Sequence, residues 1–293
     1  MKISIIVPAF NAQQTLIGLL ESIFNQTYKN FELIIVDDGS TDTTATIANS
    51  ANCKLIRLQE NHGPAYCRNL GVRSASGDIL AFTDSDCKIN PEWLANINRH
   101  FSGNDFQALM GKLILLPSSA LGNSISALGY PAGGSVGFDK IWKVDEKGFT
   151  KSLSTCNCAV TKDTFDRIGG FDEAFPYPGG EDSLLAYRLN QSGYKIKYCK
   201  DVIAYHPARE SLQGFFKWQF RRGISGYIFA KKVDRKKGFL LLRIWSTVNI
   251  IRHNCLDYKF PLIFLLLCSG YLAQILGLLS ARYNKEYHAS FDH

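Results

Sequence analysis

The chain has 293 residues, 46% hydrophobic and 20% charged, with a formal net charge of +7. Such a composition can bury one large core with a smaller appendage, and it excludes a disordered or low-complexity protein. The positive charge is local: residues 215–243 carry nine basic side chains against one acid, so the excess belongs to a single segment.

Residues 3–7, ending at Pro8, form an apolar run too short for a signal peptide and read directly as a first strand. Leu16, Leu19, Leu20, Ile23 and Phe24 then repeat at helical spacing and give one apolar face. Residues 31–36 predict a strand, 42–51 a helix, 54–58 a third strand, 63–75 a helix and 79–82 a fourth strand. This alternation with short links predicts an α/β fold whose mostly parallel sheet carries helices on both faces and binds ligands at the carboxyl ends of its strands. No G-x-G-x-x-G follows the first strand and no Walker sequence occurs, which argues against a dinucleotide dehydrogenase and a P-loop NTPase. The eight cysteines form no C-x-x-C pair and have no matching histidine spacing, so they read as reduced, packed thiols and not as a zinc site.

Two aspartate clusters sit just past predicted strands: Asp37-Asp38-Gly39-Ser40-Thr41-Asp42 and Asp84-Ser85-Asp86. Either alone would pass for a turn, because Asp, Gly and Ser dominate turns through local hydrogen bonding. Together, each at the exit of a buried strand, they point to a nucleoside diphosphate. Its phosphates need a divalent cation held by one or two carboxylates, and a carboxylate on an earlier strand can accept from a base N–H or a ribose hydroxyl.

Several ordered motifs carry a resemblance. Residues 5–11 (Ile-Ile-Val-Pro-Ala-Phe-Asn), 22–28 (Ser-Ile-Phe-Asn-Gln-Thr-Tyr), the Asp37–Asp42 run, Gly63-Pro64-Ala65 leading to Arg68-Asn69-x-Gly71, and Thr83-Asp84-Ser85-Asp86 together resemble family 2 glycosyltransferases of the GT-A fold over about residues 1–210. The resemblance implies a Rossmann-like nucleotide-diphospho-sugar transferase domain. In it Asp38, with Asp37, contacts the nucleoside, Pro8, Ala9 and Asn11 line the nucleotide pocket, Ser85 joins the donor site, and Asp84 and Asp86 hold Mg or Mn. Arg68, on the helix before the fourth strand, could neutralise the diphosphate.

Farther along, Gly169-Gly170-Phe171-Asp172-Glu173 and Gly179-Gly180-Glu181-Asp182 with Leu185 and Arg188 resemble the family's acceptor-side motif. Inverting transfer needs a carboxylate that removes the acceptor hydroxyl's proton. Asp182 fits that role by motif position, at the start of a helix, with Gly180 and Glu181 on the acceptor side. His206, closing a predicted strand at 202–205, is a candidate third metal ligand. Cys156-Asn157-Cys158 and Thr161-Lys162 stand where relatives often have glycine and arginine, and residues 117–154 are expected to shape acceptor choice.

Residues 211–259 interleave aromatic and basic side chains, as expected for an anionic membrane surface; Gln219, Arg221 and Arg222 could also reach the acceptor or the leaving diphosphate. No nucleic-acid motif accompanies them. Residues 260–281 lack formal charge and are long enough, as a helix, to span or embed in a bilayer, leaving 282–293 as a short tail. The sequence thus predicts an inverting, metal-dependent glycosyltransferase with a nucleotide-sugar donor and a lipid-linked or cell-envelope glycan acceptor, on the cytoplasmic face of a membrane such as a bacterial inner membrane. Two alternatives are a nucleotidyltransferase, which would normally carry a glycine-rich phosphate loop where this chain has Pro8-Ala9-Phe10-Asn11, and a membrane-tethered nucleotide-sugar binding protein without catalysis.

Overall fold

The structure, a computed structural model, describes residues 1–103, 105–233 and 236–284, without the side chains of 236–240. Of the sequence expectations, Arg235, the side chains of Lys236, Lys237 and Phe239, and the tail 285–293 lie outside the described residues.

Four apolar runs form β1 (Ile3–Ala9), β2 (Phe31–Asp37), β3 (Lys54–Arg57) and β4 (Ile79–Thr83), which pair in parallel in the order β3-β2-β1-β4. β1 and β4 are buried almost throughout, because helices cover both faces. Those helices are α1 (Leu16–Phe24), whose Leu16, Leu19, Leu20 and Ile23 are buried as the spacing predicts, α2 (Thr44–Asn49) and α3 (Pro64–Arg73). Pro64 opens α3 where its missing N–H costs nothing.

Beyond β4 the sheet becomes mixed, which the parallel expectation did not include. The next elements are β5 (Lys88–Ile89), α4 (Trp93–Phe101) and β6 (Ala108–Leu115). A stretch with α5 (Ala120–Ser126), α6 (Phe138–Ile141) and β7 (Phe149–Thr150) leads to β8 (Asn157–Thr161) and α7 (Lys162–Arg167). After α8 (Glu181–Gln191), β9 (Ile196–His206) completes a sheet ordered β3-β2-β1-β4-β8-β6-β9-β5, with β7 on β9. β8 runs antiparallel to both β4 and β6. The physical cause lies in connection length: β8 arrives after a long excursion and is free to enter from the opposite end, whereas the short links of the first half enforce crossovers in one direction.

The C-terminal third is helical: α9 (Leu212–Lys232), α10 (Lys236–Asn254) and α11 (Phe260–Tyr283). These helices do not stand apart from the sheet domain. Phe175 and Leu184 pack with Ile224, Ile228, Phe229 and Ala281, while Ile125, Leu128 and Ile141 pack with Phe215, Ile250, Ile263 and Leu266.

Candidate functional site

The parallel strands deliver their carboxyl ends side by side. Ala9 of β1 pairs with Asp37 of β2, and the Asp38 N–H donates to the Ala9 carbonyl at 2.8 Å. Between the two strand exits the loops are tied: the Asn11 N–H donates to Ser40 Oγ at 2.9 Å, and Asn11 Oδ1 accepts from the Thr41 N–H at 3.0 Å. Gly39 turns here at φ +72, and a Cβ would come within 2.8 Å of the Glu60 backbone, so the loop admits only glycine without displacement.

The two neighbouring aspartates do different work. Asp38 is filled: its carboxylate accepts from Asn61 Nδ2 at 2.9 Å and from the N–H groups of His62 and Gly63 at 2.8 and 2.9 Å, fixing the loop that leads into α3. Asp37 is fully buried and accepts from the Ser40 N–H through Oδ1, while Oδ2 has no hydrogen-bond donor and only Arg57 at 3.5 Å. At the end of β2 Asp37 is thus a buried partner of Arg57, while Asp38 fastens the loop into α3.

Past β4, the Cys87 N–H donates to the Asp84 carbonyl at 3.0 Å and closes a turn that holds Ser85 and Asp86. Arg68, only 2% exposed, reaches from α3 and donates to Asp84 Oδ1 at 2.7 Å and to Glu181 Oε1 at 3.0 Å. One guanidinium thus joins motifs about a hundred residues apart in the sequence. With both terminal nitrogens so engaged, Arg68 braces the site from within and does not face outward to a diphosphate.

Glu181 and Asp182 open α8 after Gly179 and Gly180, both at positive φ. A Cβ on Gly180 would come within 2.6 Å of the Phe175 ring and 2.9 Å of Ser225 on α9, so glycine lets the helix start press against α9. Glu181 is 1% exposed, and its second oxygen accepts from the Gly179 N–H at 2.7 Å. Burial, then the Asp182 charge, push its carboxyl up to about 7 against the pull of Arg68. Asp182 is only half-buried: Oδ1 accepts from the Ser183 N–H at 2.7 Å, and Oδ2 accepts no hydrogen bond from the described residues. Of the pair, Asp182 is the carboxylate open to an incoming hydroxyl.

The candidate metal centre pairs Asp86 with His206, Oδ1 lying 3.5 Å from Nε2. His206 Nδ1 sits 2.7 Å from the Pro207 carbonyl, which orients the ring so that Nε2 faces Asp86. Asp86 Oδ1 is buried without a hydrogen-bond donor, and burial followed by the Asp84 charge raises its carboxyl above the ordinary range, with His206 opposing. Such a set fits a hard divalent cation, which would supply the missing positive charge. Cys87 Sγ lies in the same cluster, but burial pushes its thiol well up and its S–H faces the Cys156 carbonyl, so it offers no thiolate. Asp84 lies two residues before Asp86, with Oδ1 engaged by Arg68.

Other residues at the site had no role assigned to them from the sequence. Cys156, placed beside β4 by β8, has its thiol pushed well up by burial first and then by the charge of Asp84, with smaller contributions from Asp182 and Asp86. Asn157 is a fully buried clamp: it accepts from Trp93 Nε1 at 2.7 Å and donates to the carbonyls of Lys112 and Val202 at 2.8 and 2.9 Å, where β6 and β9 shift register. Arg209 faces Asp86 and stacks over Trp218, Arg221 lies 4.4 Å from the Tyr177 ring, and Arg222 lies 4.0 Å from the Tyr130 ring in the field of Asp182. Arg221 and Arg222 both come from α9, beside the loop that leads into α8, and the residue spacing gave no hint of Tyr130 or Arg209.

Residues 4–117 match the model for glycosyl transferase family 2, and residues 139–208 match one described as the N-terminal domain of galactosyltransferase. The chain is 29% identical over 264 residues to glycosyltransferase AglE of Haloferax volcanii, covering 85% of this chain and 81% of that protein. It is 30% identical over 244 residues to chondroitin synthase of Escherichia coli, where it spans only 35% of the relative's length. Among solved structures it is similar to the mannosyltransferase PcManGT of Pyrobaculum calidifontis in complex with GDP-Man and Mn2+, with a TM-score of 0.61 at 20% identity over 99% of this chain and 85% of that one. It is also similar to TarS of S. aureus in complex with UDP-GlcNAc, with a TM-score of 0.52 at 22% identity over 96% and 92%. At those identities the likeness is one of fold, the GT-A arrangement.

Proposed function

The chain belongs to the family 2 glycosyltransferases and is a glycosyltransferase, and from that premise we propose that it transfers a sugar from a nucleoside-diphosphate donor to a hydroxyl acceptor by a single inverting displacement with Asp182 as base. The reading rests on one observation above the others: Arg68 ties the Asp84 turn to the Glu181–Asp182 helix start, so donor and acceptor motifs share one cleft.

In this proposal the nucleoside lies over the ends of β1 and β2, beside Pro8, Ala9 and Asn11, where Asp37 and Asp38 end β2 and fix its loop. The diphosphate lies toward Ser85 and the Asp84–Asp86 turn. Asp86, His206 and Asp84 would hold a Mg or Mn ion, which when bound neutralises charge on the departing diphosphate. Asp182 Oδ2 takes the proton of the acceptor hydroxyl as its oxygen attacks the anomeric carbon. The bond from that carbon to the diphosphate oxygen breaks on the opposite face, and the nucleoside diphosphate leaves with the electron pair. Arg221 and Arg222 sit at the rim nearest Asp182 and are the cations available to a leaving or acceptor phosphate.

The acceptor we propose is a lipid-linked or envelope glycan, reached at the cytoplasmic face of a membrane. What supports it is the apolar helix α11, long enough to enter a bilayer, next to a basic aromatic segment.

A thermal-shift series with GDP- and UDP-sugars, with and without Mn, tests the donor site, and Asp182→Asn tests the base. The expected result is donor stabilisation that survives in the variant while turnover falls by about 10²–10⁴. No stabilisation by any nucleotide sugar would reject the donor site. Donor binding without transfer or hydrolysis by the unaltered chain would favour a binding protein.

A further inference from the structure

Helix α10 is inside out. Among its described side chains the inward face is largely polar: Ser246, Asn249 and Asn254 are buried beside the apolar Ile250, and Asn254 Nδ2 donates to the carbonyls of Ala127 and Ile250 at 3.2 and 2.7 Å. Its outward face is apolar: Leu241, Ile244, Trp245 and Val248, at helical spacing, are 65%, 52%, 50% and 55% exposed. A helix bathed in water sorts the other way, because burying polar groups and wetting large apolar ones both cost free energy. The arrangement suits an exterior medium that is itself hydrocarbon.

α11 extends the same face. Ile263, Leu266, Leu267, Gly270, Gly277 and Ala281 form its buried stripe, while Leu265, Leu272, Ile275 and Leu276 are more than half exposed. No charged side chain interrupts residues 260–281.

The orientation of α11 follows from its packing. At one end Ile263 joins the cluster of Ile125 and Ile141, and at the other Ala281 is buried with Phe175 and Leu184 of the sheet domain. Between them α11 runs parallel to α9: Gly270 meets Phe215, Gln274 accepts from Arg243 Nη2 at 2.6 Å and donates to Gln219 Oε1 at 2.8 Å, and Gly277 lies so close that a Cβ would overlap the Phe220 carbonyl. Both ends therefore rest on the catalytic domain. Were α11 to cross a bilayer, α9 with Arg221 and Arg222, and the start of α8 with Asp182, would be carried to hydrocarbon depth, where charged groups are strongly disfavoured.

We propose that α10 and α11 form a monotopic docking face that lies in the plane of one anionic leaflet, and that α11 does not span the bilayer. The proposal rests on the membrane placement given above and sharpens it. Charge and aromatic placement select the occupant: Arg252, Lys259 and Arg282 stand at the helix ends that border the face, and exposed Trp245, Tyr258 and Tyr283 belong to the residue types that settle at headgroup level. A bound leaflet would bring lipid-borne acceptors to the cleft rimmed by Arg221 and Arg222.

The test uses the full chain with epitope tags at both termini. In inverted inner-membrane vesicles from an expressing bacterium, protease added outside should remove both tags. Purified chain should float with phosphatidylcholine vesicles containing phosphatidylglycerol and less with pure phosphatidylcholine. Trp245→Glu and Leu276→Glu, both at exposed positions, should weaken flotation about tenfold or more. Their thermal shift with nucleotide sugars should match the unaltered chain, which separates failure of docking from failure of the sugar-transfer reading. Tags on opposite sides of the vesicle would overturn the proposal, as would unchanged flotation of both variants, or a stable dimer in lipid-free buffer that does not float.

Discussion

Arg68 and its two carboxylates show how one buried charge can organise a site. Replacing it by methionine strips Asp84 and Glu181 of their shared donor, and each buried polar group left unsatisfied costs about 1–3 kcal/mol. Arg68→Met should therefore melt well below the unaltered chain by calorimetry and lose donor stabilisation together with it. The same cluster gives a pH signature. Glu181, pushed up to about 7 by burial and by Asp182, keeps its proton in the folded chain over a range where the unfolded chain has lost it. Its contribution to stability is full below the ordinary carboxylate value and is lost as pH rises through about 7. Glu181→Gln should flatten that part of the dependence of melting temperature on pH; an unchanged slope would mean that Glu181 is ionised throughout. At this scale residue types were legible in the sequence without their assignments. Asp37 and Asp38 are adjacent and chemically identical, and only the chain segment packed against each decides that Asp38 fastens a loop while Asp37 is buried against Arg57.

Helices α9 and α11 meet through glycine. Gly223 and Gly277 bring backbone against backbone, with the Gln274 and Phe220 carbonyls lying where Cβ atoms would be. Gly277→Val should separate the helices and lower stability by about 1–3 kcal/mol, the usual cost of overpacking, read as a fall in melting temperature with the donor site still able to bind. The periodic helices and the first four strands were legible because short links and a strong apolar rhythm leave few alternatives. Strand β8 was not, since its antiparallel entry depends on the path of residues 117–154, whose backbone is set by contacts and not by period. Likewise α10 could not be recognised as inverted from a list of its residues; the polar side had to be seen facing the protein.

For the molecule as a whole, the helical third behaves as part of the catalytic body. A chain truncated after residue 259 would expose Phe215, Ile224, Ile228 and their neighbours, all buried beneath α11 or beside it. We expect it to aggregate on expression, in contrast to a domain released from a detachable anchor; a soluble, monodisperse product with donor-dependent stabilisation would contradict this. Local order in the chain determined the class of fold and the nucleotide chemistry, because strand ends place acidic turns where a parallel sheet gathers its ligands whatever follows. The tertiary structure alone decided that Arg68 faces inward, that Asp86 meets His206, and that the apolar C-terminal helix lies along the protein. Each of those depends on segments far apart in the chain, and no local pattern of residue types carries the contact that fixes them.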